Sequence, residues 1–210
     1  MKRTVVLVLF LAAVVTLLWW MPLFHFVPLD QQRAKKEEAA FNAADYAHNF
    51  WTRLLPAALE NAADATTVLS TARQDPQAVR DQYGRSVGLG RTSLYFLRGS
   101  GTIVSVDKEG VGVALQSDEG EPDIVLQTGL LFGNAVRDST GLISPSDFPN
   151  SQHYNDLSNE LNRIVETLVL PALKEQAQVG RRVYFVGSAE VLNERDWKPL
   201  KLIPVEIKGE

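Results

Sequence analysis

The side chains best equipped for chemistry crowd into residues 129–162, GLLFGNAVRDSTGLISPSDFPNSQHYNDLSNELN. Arg137, Asp138, Asp147, Asn150, Gln152, His153, Tyr154, Asn155 and Asp156 all fall on what reads as a polar loop leading into a helix, the setting in which binding residues tend to sit. Asp138, Asp147, His153, Asp156 and Glu160 are the raw material of acid–base chemistry. Their order matches no reaction: the chain has no Gly-x-Ser-x-Gly, His-Glu-x-x-His, Walker or calcium-loop pattern. A metal site needs three or four ligands, and His153 with Asp156 supplies two. We therefore expect no catalytic residue, no metal and no cofactor.

Arg137-Asp138 supports two readings that the residue types leave open. In one it is a structural pair, Arg137 reaching a carboxylate or carbonyl and Asp138 capping backbone amides. In the other, Arg137, Asp138, Asn150, Gln152, Tyr154 and Asn162 form a patch that grips a partner protein or a small polyhydroxylated ligand. Arg and Tyr are frequent anchors of interfaces, and Asn and Gln both donate and accept.

The elements that must position this loop are β-rich. Apolar runs at 94–106, 111–116 and 123–131 are separated by Asp107-Lys108-Glu109-Gly110 and by 117–122, which predicts a meander of three strands. Gly99 and Gly101 inside the first run mark a bend or bulge. After the loop, Leu157, Leu161, Ile164, Val165 and Leu168 give one apolar face to a helix over 154–170. Pro171 reads as a break, and two further strands follow at 182–192 and 200–207. Three strands, a helix and two strands in that order predict an α+β chain whose body, 85–210, is a five-stranded OB-like barrel. An open α+β sheet is the alternative.

Residues 28–84 read as a helical arm. Phe41, Ala44, His48, Trp51 and Leu55 recur at helical spacing and predict a packed stripe, with Pro56 interrupting the helix. Asp64 predicts one helix start, and Asp75-Pro76 with Gly84 frames another helix. Gly88 and Gly90 read as turn glycines rather than a phosphate loop.

Residues 1–27 form a separate segment. An uncharged run from Thr4 to Phe26 is about 23 residues, or roughly 34 Å as a helix, enough to cross a bilayer. Trp19 and Trp20 near its far end suit the headgroup zone, and the bulky residues after them are unlike a cleavage site. The expectation is an uncleaved signal anchor, single-pass in the inner membrane, with the body outside the cytoplasm. The 210 residues carry a net charge of -4 with bases dispersed among acids, which argues against nucleic acid as a partner. There is no cysteine, so disulfides and thiol chemistry are excluded.

The chain resembles a family of predicted periplasmic lipoproteins, the domain of unknown function numbered 2291. The resemblance lies in Gly133-Asn134-Ala135-Val136-Arg137-Asp138, Phe148-Pro149-Asn150-Ser151-Gln152 and Asn159-Glu160-Leu161-Asn162. Tyr46, Trp51, the stretch from Asp75-Pro76 to Tyr83-Gly84, Gly99-Ser100-Gly101 and residues 180–187 add to it. Such proteins carry a lipobox cysteine shortly before a Val-Pro-Leu-Asp-like segment, where this chain has Leu23-Phe24-His25-Phe26 ahead of Val27-Pro28-Leu29-Asp30. The resemblance implies an accessory of an ABC-type sugar importer. It makes a transporter permease or a periplasmic solute-binding protein the expected partner and a carbohydrate the expected small ligand; a hydrolase is the remaining alternative.

Overall fold

The computed structural model describes residues 3–6, 12, 16, 41–86, 91–116, 120–148 and 150–210. Two compact units are present, Met1–Phe41 and Asn42–Glu210. In the first, residues 3–6 are helical. Among the described residues no helix is long and apolar enough to cross a membrane, and the expected span from Thr4 to Phe26 lies largely outside them, as do Gly88 and Gly90.

The second unit is built on a closed barrel. Its strands are β2 (Ser93–Val106), β3 (Gly110–Ala114), β4 (Ile124–Gln127), β5 (Arg182–Val191) and β6 (Leu200–Gly209), preceded by a two-residue strand, β1 (Ala63–Asp64). Around the barrel the order is β2-β3-β4-β6-β5, and β5 closes back onto β2. All these neighbours are antiparallel except β4 and β6, while β1 lies parallel to β2 outside the ring. This is the five-stranded α+β barrel that the order of apolar runs predicts.

One long strand makes closure workable. The first ten residues of β2, Ser93 to Thr102, pair with β5, and Thr102 to Val106 pair with β3. The strand thus serves both sides of a seam that would otherwise be an open edge. The bulge lies between Ile103 and Ser105, not at the glycines. Gly99 and Gly101 instead permit close approach: a Cβ on Gly101 would stand 2.4 Å from the Ala114 carbonyl oxygen, and one on Gly99 2.9 Å from the Phe185 ring. Leu97, Ile103, Val113, Ile124, Leu126, Val183, Phe185, Leu200 and Leu202 are buried and form the barrel core.

The arm holds α1 (Ala43–Asn49), a π-helical turn (Phe50–Leu54), α2 (Leu55–Glu60), α3 (Ala65–Gln74) and α4 (Pro76–Tyr83). Asn42, Asp64 and Asp75 each accept from backbone N–H groups at a helix start, satisfying donors that have no partner inside the helix. Two expectations are corrected here. Pro56 does not interrupt the helix, because the Leu55 N–H donates five residues back to the Phe50 carbonyl and the widened turn leaves room for the proline ring. That extra residue also rotates the buried face: Ala47, Phe50, Leu55 and Ala58 point inward, whereas Ala44 and His48 are exposed.

The same device recurs after the polar loop. There α5 (Ala135–Asp138) is followed by α6 (Ser151–Ile164), a π-helical turn (Val165–Val169) and α7 (Leu170–Gln176). Leu170 N–H donates to Val165, and Pro171 continues the helix instead of ending it. Thr52 and Thr167, four residues before each proline, turn their hydroxyls to the carbonyls of His48 and Arg163, both at 2.8 Å. The π turn and α7 pack on β6, while α6 packs on α1 and α5. The third strand also ends earlier than expected, at Gln127 rather than Leu131, because the Leu131 N–H leaves the ladder and donates to Glu166 at 2.8 Å.

The close approach at Gly101 gives a test of the seam. Gly101→Ala is expected to destabilise the protein by about 2 kcal/mol, since the added methyl meets the Ala114 backbone and the Val113 side chain, which is buried in the core. A shift of the urea midpoint at unchanged slope measures it.

Candidate functional site

The expected site residues divide into a buried set and an exposed set. Arg137 and Asp138, on the four-residue α5, are 3% and 2% exposed; Tyr154 and Asn162, on α6, are buried with them. Asn150 and Gln152 lie in the open at the start of α6.

Within the buried set, the guanidinium of Arg137 grips the neighbouring carboxylate with two N–H donors on one edge. Nε donates to Asp138 Oδ1 at 2.6 Å and Nη2 to Oδ2 at 2.9 Å. Nη1 donates to the Tyr154 carbonyl at 2.7 Å, and the guanidinium carbon sits 3.3 Å from the centre of the Tyr154 ring. The Tyr154 hydroxyl donates to Asp138 Oδ1 at 2.6 Å, and the Asn134 amide donates to Oδ2. A carboxylate has about four lone-pair positions, so Asp138 is saturated.

The cluster reaches outward through its neighbours. The Tyr154 ring lies 5.2 Å from Phe148, and Phe148 lies 5.2 Å from Tyr46 of α1. Ser139, next after Asp138, shares a buried 2.7 Å hydrogen bond with Ser188 of β5. Asn162 donates to the Gly133 carbonyl at 3.0 Å, fixing the chain just before α5. These contacts clamp the polar segment between arm and barrel and leave Arg137 and Asp138 no face toward solvent. Burial is the first cause that raises the Tyr154 phenol far above its usual 10.0; its hydrogen bond to the Asp138 carboxylate and that negative charge add to it, and Arg137 opposes it.

The remaining loop residues have local duties. Asn150 Oδ1 caps α6 by accepting from His153 N–H at 2.9 Å, and Gln152 donates to Asp156 at 2.7 Å. Asp147 Oδ2 accepts from Ser144 N–H in a capping box. Among the described residues no group of three or more His, Asp or Glu is placed to hold a metal ion.

Open concave surface occurs elsewhere on the unit, lined by residues that the loop pattern does not point to. One hollow of about 400 Å³ lies over β4, β5 and β6 and includes Phe132, Glu190, Leu192, Arg195, Lys198 and Lys201. Its wall mixes charged side chains with two exposed apolar ones, Phe132 at 78% and Leu192 at 56%; Leu130, two residues before Phe132, is 79% exposed, while Leu131 is buried. Asp196, also in its wall, accepts from the Leu192 and Asn193 backbone, and Lys201 pairs with Glu109 at 3.0 Å. A second cavity of about 460 Å³ lies between α2, α4, β2 and the turn after α5. The unbroken apolar run Leu130-Leu131-Phe132 carries no signal in sequence of which side chains face outward. The second cavity is assembled from four separated segments and had none either.

The family profile described as predicted periplasmic lipoprotein, DUF2291, matches residues 7–208. The chain belongs to this family. This DUF2291 member has no cysteine to carry a lipid. Its fold is similar to the crystal structure of an OB-fold protein from Thermotoga maritima, at 27% identity and a TM-score of 0.72, covering 81% of this chain and 99% of the other. Among curated proteins none matches.

Two changes test the buried cluster. Arg137→Met leaves the Asp138 charge buried without its main partner and is expected to cost about 3–5 kcal/mol; Tyr154→Phe, which removes one donor, about 1–3 kcal/mol. Denaturant titration reads both. Because the folded protein holds the phenolic proton more tightly than the unfolded chain, the Tyr154 contribution is complete below pH 10 and lost as pH rises above it. Stability should therefore fall more steeply in that range in wild type than in Tyr154→Phe.

Proposed function

We propose that this protein is a non-catalytic binding and assembly module, held at the inner membrane by a single helix from Thr4 to Phe26 with its OB-like body in the periplasm. Membership of a predicted periplasmic lipoprotein family supports the compartment. The apolar run supports the tether, since a retained helix serves where no cysteine can be acylated.

The observation that carries the binding reading is the rim of the hollow over β4, β5 and β6. Phe132 and Leu192 stand exposed in the wall of one concavity, and large apolar side chains gathered at a hollow mark interaction surfaces. Arg195 and Lys198 at its edge supply the polar border typical of such interfaces. The partner we favour is a component of an ABC-type sugar importer, a permease or a solute-binding protein. In this reading Arg137, Asp138, Tyr154 and Asn162 hold the scaffold and the rim makes the contact.

Crosslinking of the full-length protein in intact membranes, followed by identification of co-purifying chains, tests this directly. Importer subunits should be enriched with wild type and reduced about tenfold by the pair Phe132→Ser and Leu192→Ser, as expected for loss of two interface anchors. Recovery that is equal with and without the pair would remove the rim from the interface.

A further inference from the structure

The second cavity lies apart from that rim and has a different chemistry. Its wall includes Asn61, Gln82, Tyr83, Arg85, Phe96 and Thr140, and it contains no aspartate or glutamate. Three other hollows each include at least one carboxylate: Glu190 and Asp196 in the one over β4, β5 and β6, Asp75 and Glu194 in another, Glu121 and Asp123 in a third. In a chain of net charge -4, a cavity with one cation and no acid is selective by sign.

Arg85 is exposed to solvent, and its backbone is anchored. Its backbone makes a two-way bridge with Leu94, N–H to carbonyl at 2.9 Å and carbonyl from N–H at 2.8 Å. Its guanidinium lies against Gly141: a Cβ there would stand 2.1 Å from Nη1 and 2.5 Å from Cζ. Gly141 also has φ +67°, a conformation that L side chains rarely adopt, so the turn both requires glycine and opens the seat for the guanidinium. No carboxylate among the described residues pairs with Arg85. A planar fork with free donors is suited to a bidentate carboxylate.

The rest of the wall indicates what the anion is attached to. Tyr83 and Phe96 are half-buried and offer ring surface, while Asn61, Gln82 and Thr140 each both donate and accept, as ligand hydroxyls require. We propose that this cavity binds a small hydroxylated organic acid, its carboxylate paired with Arg85 and its body laid against Tyr83 and Phe96. This goes beyond the assembly reading and uses none of the rim residues, so either can fail alone.

Ligand-observed NMR titration of the full-length protein in neutral detergent tests it with two matched pairs: 4-hydroxybenzoate against 4-hydroxybenzamide, and glucuronate against glucose. At least one acid should bind about tenfold more tightly than its neutral partner, the effect of one charge-assisted contact. Which acid binds distinguishes an aromatic from a sugar body. Arg85→Gln should abolish the preference at unchanged melting temperature. The proposal is overturned if neither acid binds at about 10 mM, a limit corresponding to roughly 2.7 kcal/mol of binding. It is equally overturned if acid and neutral partner bind alike, or if a folded Arg85→Gln keeps the preference. Should that variant not fold, Gln82→Ala decides, with weaker acid binding supporting the cavity and unchanged binding rejecting it.

Discussion

Burying the Asp138 carboxylate is the constraint around which the polar segment is arranged. A charge removed from water is tolerated only where donors replace its hydration, and here two N–H groups of Arg137, the Tyr154 hydroxyl and the Asn134 amide converge on it. Each donor commits a piece of chain. Arg137 and Asn134 fix the loop before and within α5, and Tyr154 fixes the start of α6. The Tyr154 ring then carries the constraint through Phe148 to Tyr46 on α1, and Ser139 carries it to β5. A segment whose composition looks like a surface site is thereby the joint between helical arm and barrel.

The joint also explains why function is better sought beside it. Side chains that saturate one another have no free donor or acceptor for a ligand, whereas the hollow that includes Phe132 and Leu192 and the cavity that includes Arg85 are open concave surfaces. Both use segments that the joint positions. Phe132 precedes α5 by three residues and Thr140 follows it by two, so the placement of α5 sets both surfaces at once.

Much of the barrel was legible because its signals are local. Apolar runs bounded by turn residues, and a helix between the third and fourth of them, prescribe the strand order, and Asp64 and Asp75 announce their helix starts by type and position. What escaped depended on geometry that periodicity does not encode. Pro56 and Pro171 read as helix breakers, yet a π turn before each absorbs the ring and continues the helix, which also moved the inward face from Ala44 and His48 to Ala47 and Phe50. The burial of Arg137 and Asp138 was open in the residue pair itself, since the same two side chains suit a surface clasp or an internal one. Only the positions of Tyr154 and Asn134 settle where the pair lies. Arg85 and Gly141 are far apart in sequence, and nothing in either residue alone shows that one seats the other.

Amide hydrogen exchange on the Asp138→Asn variant measures the central claim most directly, because it reports where stability is lost as well as how much. If Asp138 organises the joint, protection should fall together in α1, in residues 129–148 and in α6, while β2 and β5 keep theirs. Loss confined to α5, with α1 and α6 as protected as in wild type, would contradict the account and make the cluster a local cap.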